Sequence, residues 1–215
     1  MTGVKAGNTG RAMSRPLGIE SDDEELVEAA KAGDSEAYGI LVTRYMPKAI
    51  SFARRMTGNE HDAQDLAQDA FIKAYKGMGS FKGESSFSTW FLRVLYNVCL
   101  DHQRKASIMR KIFFFRDDRP DEDDRPDEWE MVPETRHGSM PDDGIQQRQL
   151  RQALEKAVGK LPKQQRAVFL LKHGQDQKIS EIAEVLGISE GAVKSHLVRA
   201  IASLRKSMRG YGHEG

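Results

Sequence analysis

The chain has 215 residues, 39% of them hydrophobic, a single cysteine and a formal net charge of +1. That length suits one large or two small domains. The lone Cys99 excludes an internal disulfide, and Cys99 with His102 makes too few ligands for a zinc site. No apolar run approaches the roughly 20 residues of a membrane helix. Lys5, Arg11 and Arg15 precede no apolar stretch of a signal peptide, so a cytoplasmic protein is expected.

Residues 1–20 are rich in Gly, Ser, Thr and Asn and are expected to form a disordered tail. Ser21 and Glu24 form a capping-box pattern at the head of a helix that runs to about Ala32. Gly33 stops it, and Asp34 caps a second helix carrying Ala37, Ile40, Leu41 and Tyr45. Pro47 is expected to break or restart that helix, and Gly58-Asn59 to end the segment after Met56. A helix follows from His61 to about Lys76, with Gly77 as its stop, then a loop from Gly79 to Ser86. Ser88 to Lys111 reads as a long helix with a possible break near Lys105. The stretch from Phe115 to Gly144 holds four prolines among clustered Asp and Glu and reads as a linker. Leu150, Leu154, Val158 and Leu161 then recur at helical spacing, Pro162 opens a helix to about Lys172, and two further helices close the chain. No strand pattern is present, so the expected fold is all-α, with two small helical domains joined by an acidic flexible linker. The expected bounds are a tail at 1–20, domains at 21–112 and 145–209, and a linker at 113–144.

The near-zero net charge hides segregation. Ser21 to Asp69 holds 11 acidic and 5 basic residues, and Ala70 to Lys111 holds 2 and 8. Asp117 to Asp143 holds 12 and 3, and Gly144 to Arg209 holds 5 and 13. Two basic patches separated by an acidic tract suit a partner with a phosphate backbone.

Four groups of residues carry the functional reading. Asp62, Asp65 and Asp69 fall at i, i+3 and i+7, on one helix face with Gln68 beside them. Such a stripe repels itself and gains from a basic partner, or it is a solvated face favoured by a helix N-terminus. The run Phe81-Lys82-Gly83-Glu84-Ser85-Ser86-Phe87-Ser88-Thr89-Trp90-Phe91 brackets a small-residue loop with aromatics. It suits capture of an unstacked base; equally, Phe87, Trp90 and Phe91 are helix-start core residues. Arg93, Asn97, Asp101 and Arg104/Lys105 share a helix face that meets DNA or braces itself locally. Finally, Ala183, Gly187 and Val193 carry the spacing of a helix-turn-helix. Ser189 caps its second helix, Glu190 opens it, and Lys194, Ser195 and His196 fall in the early turns that reach base edges, with Arg199 one turn on toward phosphate.

DLAQDAFIKAYKGMGSFKGESSFSTWFLRVLYNVCLDHQRK, followed after a linker by LPKQQRAVFLLKHGQDQKISEIAEVLGISEGAVKSHLVRAIASLRK, resembles a bacterial RNA polymerase sigma factor of the extracytoplasmic-function (ECF) group. The resemblance spans about Glu25–Lys111 and Gln149–Lys206. It implies that Asp65, Gln68 and Asp69 bind the clamp helices of the polymerase largest subunit. It implies that Phe81, Lys82, Ser85, Ser86, Phe87, Trp90, Arg93 and Asn97 hold the melted −10 strand. It implies that Glu190, Lys194, Ser195, His196 and Arg199 contact the −35 element. The implied partners are core RNA polymerase, promoter DNA and an anti-sigma protein, with no cofactor, metal, stable homo-oligomer or catalytic residue. The linker then only spans two anchored domains, and its acidic charge resembles nucleic acid in the RNA exit path.

The sequence departs from the family pattern at three places. His196 and Ile201 stand where Arg is frequent, and Lys178 stands where a capping Ser or Thr is common. Ile112-Phe113-Phe114-Phe115 is apolar for a linker edge and is expected to pack on an inhibitory partner or on the first domain. Two other classes compete. A duplex-operator regulator would need only the C-terminal helix-turn-helix. A nucleic-acid enzyme would have to draw on Glu60, His61, Asp62, Asp65 and Asp69, which fit no metal or nucleophile–base spacing.

Overall fold

The computed structural model describes residues 17–113 and 145–209, and every regular element among them is helical. The linker, Trp129, Met131, Phe114, Phe115 and the tail to Pro16 lie outside the described residues, as do the side chains of Ile112 and Phe113. The first domain comprises α1 (Asp23–Lys31), α2 (Ser35–Thr57), α3 (Glu60–Gly77), a short 3₁₀ turn at Met78–Ser80 and α4 (Phe87–Phe113). The second comprises α5 (Ile145–Gly159), α6 (Lys163–His173), α7 (Ile179–Leu186) and α8 (Glu190–Ser207).

Caps place most helix starts. The Asp34 carboxylate accepts from the Glu36 and Ala37 amides, and the Asn59 side-chain oxygen accepts from His61 and Asp62. Each satisfies N–H groups that a helix start leaves open. α1 departs from expectation by one residue: Asp22, not Ser21, caps it by accepting from the Glu25 amide. Arg44 holds Ser21 outside the helix by donating to the Ile19 and Ser21 carbonyls, while the Ser21 hydroxyl accepts from Gly18. The same Arg44 pairs with Asp23.

Pro47 does not break α2, which runs unbroken from Ser35 to Thr57. A mid-helix proline costs about 3 kcal/mol. Here α2 is the central helix, burying Leu41, Tyr45, Ala49 and Phe52 against α1, α3 and α4 on both sides of the proline. α4 likewise runs through Lys105 without a break. Its Gln103 side chain is buried and donates to the Met56 carbonyl, which ties that stretch to the end of α2.

The first-domain core is Leu26, Leu41, Phe52, Met56, Phe71, Phe91 and Leu95, with small residues Ala63, Ala67, Ala70 and Ala74 letting α3 approach α2 closely. Cys99 is fully buried there, and burial pushes its thiol up to about 12. In α5 the buried positions are Ala153, Ala157 and Val158, with Leu161 just beyond; Leu150 and Leu154 are exposed, contrary to their helical spacing with Val158. α5 thus turns its alanine face, not its leucine face, toward the core. α6 opens after Pro162 and buries Val168 and Leu171.

The two domains pack against each other rather than standing apart. α7 lies along α4, α6 against α2, and a continuous apolar core runs through both. Arg166, 2% exposed, crosses the junction: it donates to the Met56 carbonyl at 2.9 Å and to the carbonyls of Gly159 and Leu161. Arg54 pairs with Glu155 at 3.2 Å, and Gln175 donates to the Lys48 carbonyl at 3.3 Å.

Candidate polymerase and nucleic-acid interface

α3 sorts its acids. Asp62 turns to His102 on α4, 3.1 Å away, and is spent inside the domain. Asp65, Gln68 and Asp69 stay exposed on one face, and among the described residues their one ion-pair contact is a long one from His61 to Asp65 at 3.6 Å. The face continues through Ile72 and Tyr75, which are 52% and 50% exposed. Two large, half-exposed apolar side chains thus adjoin the acidic face.

Between α2 and α3 that surface opens into a groove of about 480 Å³ lined by Tyr38, Val42, Met46, Phe71, Ile72 and Tyr75, with Gln68 and Lys76 at the edge. The Tyr38 hydroxyl donates to the Phe71 carbonyl at 2.6 Å and fixes the groove floor. Burial pushes that phenol up to about 12. The groove was absent from the sequence reading. Its signal was there: Gln68, Ile72 and Tyr75 follow at i, i+4 and i+7, an apolar extension of the acidic face.

The loop after α3 is anchored by rings. Phe81 and Phe87 are 7% and 3% exposed, not open for stacking. Phe81 packs on Trp90 at 5.0 Å between ring centroids, and Phe87 on Tyr45, Trp90 and Phe91. They are core pins that hold the loop ends. Lys82 and Ser86 are exposed between them, and Ser85 and Trp90 half-buried. Trp90 lies over Gly77, where an added Cβ would sit 3.5 Å from its ring. The Ser86 hydroxyl caps α4 by accepting from the Thr89 amide at 3.1 Å. Ser86 and Thr89 hydroxyls meet at 2.9 Å, and Thr89 donates onward to the Gln177 side-chain oxygen at 3.3 Å. Arg93 and Asn97 follow Thr89 at i+4 and i+8 and are exposed, while Asp101 pairs with Arg104 at 3.5 Å.

The second domain builds the expected helix-turn-helix. Gly187 closes α7 in the left-handed region at φ 66°, and its amide and that of Ile188 return to α7 carbonyls. Glu181 supplies the cap that Lys178 lacks by accepting from the Lys178 amide at 2.7 Å. Ser189 caps α8 by accepting from Ala192. Val193 is fully buried, so Lys194, Ser195 and Arg199 must face out, and they are exposed. Lys194 sits 3.9 Å from Glu190, an exposed pair worth little in water and easily exchanged for phosphate. Ser195 donates to the Gly191 carbonyl. His196 is half-buried, with its Nδ1 enclosed and without a hydrogen-bond partner among the described residues. Val198, 68% exposed, adds an apolar point between Lys194 and Arg199 on this face.

Among the described residues no group of three or more His, Cys, Asp or Glu is placed to hold a metal ion. None of the described helices is long and apolar enough to cross a membrane.

Two family models match separate stretches of the chain. Residues 41–108 match the family model Sigma-70 region 2, and residues 151–204 match Sigma-70, region 4. The chain is 32% identical over 186 residues to the ECF RNA polymerase sigma factor SigW of Bacillus subtilis, covering 86% of this chain and 96% of that one. It is 32% identical over 196 residues to the ECF RNA polymerase sigma factor SigM of Mycobacterium tuberculosis, covering 91% and 89%. Among solved structures, CnrH in complex with the cytosolic domain of CnrY matches with a TM-score of 0.61 at 24% identity, over 87% of this chain and 97% of that one.

Proposed function

The chain belongs to the ECF RNA polymerase sigma factors, and on that premise we propose how its surfaces share the work of promoter recognition. It binds core RNA polymerase and directs promoter-specific transcription initiation. The polymerase contact is the α3 face Asp65, Gln68 and Asp69, widened by the Ile72–Tyr75 groove. The −10 strand is held by Lys82, Ser85, Ser86, Trp90, Arg93 and Asn97, with Phe81 and Phe87 pinning the loop rather than stacking on bases. The −35 element meets Glu190, Lys194, Ser195, His196 and Arg199. The working units are residues 21–112 and 145–209, with 113–144 as a tether between them and 1–20 as a tail.

The observation that carries this reading is the coexistence of three exposed surfaces of different chemistry on one chain. A duplex regulator working through α8 alone would have no use for the acidic, apolar-edged face of α3. The protein works by differential binding, without a reaction of its own. Extruding a base costs a few kcal/mol, and the loop contacts offset it only where the strand has unpaired. An anti-sigma protein is the controlling partner, and the exposed apolar groove of α3 gives it or polymerase a seat. The site of action is the cytoplasm.

Run-off transcription with core polymerase tests the reading. A promoter-specific product is expected with the wild-type chain. Asp65→Arg with Asp69→Arg is expected to abolish it together with polymerase binding. Lys194→Ala with Arg199→Ala should weaken promoter use at least tenfold, on the scale of lost base and phosphate contacts, while leaving polymerase binding intact. No specific product from the wild-type chain would reject the proposal.

A further inference from the structure

Three acids open α1, as acids commonly do at a helix N-terminus. Glu24 and Glu25 are exposed, whereas Asp23 is half-buried and turned onto α2. One of its carboxylate oxygens pairs with Arg44, and the other accepts from the Tyr45 hydroxyl. Arg44 also donates to the Ile19 and Ser21 carbonyls at 2.7 and 2.6 Å, which ties the entry to α1 to the same place. α1 touches the Met78–Ser80 turn and α4, the two elements that flank the strand-holding loop. It precedes the stretch 41–108 that matches Sigma-70 region 2.

Tyr45 carries the contact onward. It is 9% exposed, and its ring meets Phe87, the first residue of α4, edge-on at 5.3 Å between centroids. Phe91, one turn on, lies at 6.2 Å. The Ser88 hydroxyl reaches the same phenol. Phe87 directly follows Ser86, which caps α4, and its ring lies 6.0 Å from that of Trp90. Burial first, and then the Asp23 bond, raise the Tyr45 phenol above its ordinary value, so it stays a donor. A hydrogen bond to a carboxylate is about twice as strong as a neutral one and is directional, so it fixes the ring more firmly than packing alone.

We propose that Tyr45, held by Asp23, is a positioning residue for capture of the unpaired −10 strand: it sets the first turn of α4, and with it Ser86 and Trp90, without touching the strand itself. The inference rests on the proposed strand-holding role of that surface. Asp23 lies on α1, and Tyr45 lies on α2 outside the lining of the α2–α3 groove. Neither belongs to the α3 face Asp65, Gln68 and Asp69, or to α8. Loss of the Asp23–Tyr45 bond should therefore harm strand capture and spare both polymerase binding and the −35 contact.

The test uses the full-length chain with core polymerase on a promoter that the wild type transcribes. Strand capture is read as permanganate reactivity of thymines unpaired at the −10 element, and polymerase affinity is measured separately. Tyr45→Phe keeps the ring on Phe87 and removes the hydroxyl; Asp23→Ala, at the edge of the fold, removes the acceptor and gives the same reading by a second route. Each should lower −10 opening about tenfold, the scale of one hydrogen bond to a charged group, with polymerase affinity unchanged. The double variant should open no less than the worse single one, because Asp23 acts through the Tyr45 hydroxyl. Unchanged opening in both single variants, or additive losses in the double one, overturns the positioning role and leaves strand holding intact. A loss of polymerase affinity as large as the loss of opening marks a general structural role and overturns it too. Unchanged opening with Lys82→Ala and Arg93→Ala together overturns strand holding and this inference with it.

Discussion

A single phenol shows how burial at one residue sets a pH limit for the fold. Tyr38 is 8% exposed, its hydroxyl donates to the Phe71 carbonyl, and burial raises its pKa from 10.0 to about 12. Tyr45 and Tyr96 are raised too, chiefly by burial. The folded state therefore keeps a proton that the unfolded chain releases near pH 10. The stability tied to that proton is complete below about pH 10 and fades as pH climbs toward about 12. Urea midpoints should fall over that range, and Tyr38→Phe should flatten part of the fall. The same substitution should cost about 1 kcal/mol at neutral pH through the lost hydrogen bond. A pH profile identical in both proteins would show that Tyr38 does not titrate late. Arg166 is the complementary case at this scale. A buried guanidinium is costly unless fully engaged, and it lies against carbonyls at the ends of α2 and α5, where helix dipoles are negative.

At the scale of elements, the helix-turn-helix was the most legible part of the sequence because its constraints are local. Gly187, Ser189 and Val193 each do what their spacing promises: left-handed turn, cap and core contact. Gly187 also offers a clean test of that turn. An added Cβ there meets nothing within 4 Å, so a substitution is penalised only by its φ of 66°. Gly187→Ala should cost about 1–2 kcal/mol, and Gly187→Asn less, because Asn tolerates the left-handed region. Thermal unfolding of the three proteins would rank them; equal losses for Ala and Asn would show that space, not conformation, is limiting. Elsewhere local signals were overridden by packing. Pro47 reads as a breaker, but α2 is clamped on both sides of it. Ser21 reads as a cap, but Arg44 claims its carbonyl and the cap moves to Asp22. Phe87 suited either base stacking or core, and Phe81 was expected at the melted strand; both are buried in the core. The exposed residues Lys82, Ser86, Arg93 and Asn97 stood out by pattern, since polar positions between buried rings had to face outward.

At the scale of the whole molecule, the sequence implied two anchored units on a tether, and the contact between them was not legible. Met56 and Arg166 lie 110 residues apart, and Thr89 and Gln177 88 apart, with no periodicity linking either pair. Such contacts depend on how the surfaces of the two units fit, which no local pattern encodes. Their consequence is thermodynamic coupling. Because α6 packs on α2 and α7 on α4 within a continuous core, damage confined to one domain should be felt in the other. Leu171 on α6 is fully buried, and Leu171→Ala should cost about 2–5 kcal/mol. Trp90 reports on the first domain, and Trp129→Phe removes the other indole. In that background, the urea transition followed by Trp90 fluorescence should shift to lower urea when Leu171 is replaced, and should coincide with loss of helix by circular dichroism. A Trp90 transition indifferent to Leu171→Ala from the outset would mean that the domains unfold independently and that the contact between them contributes no cooperativity.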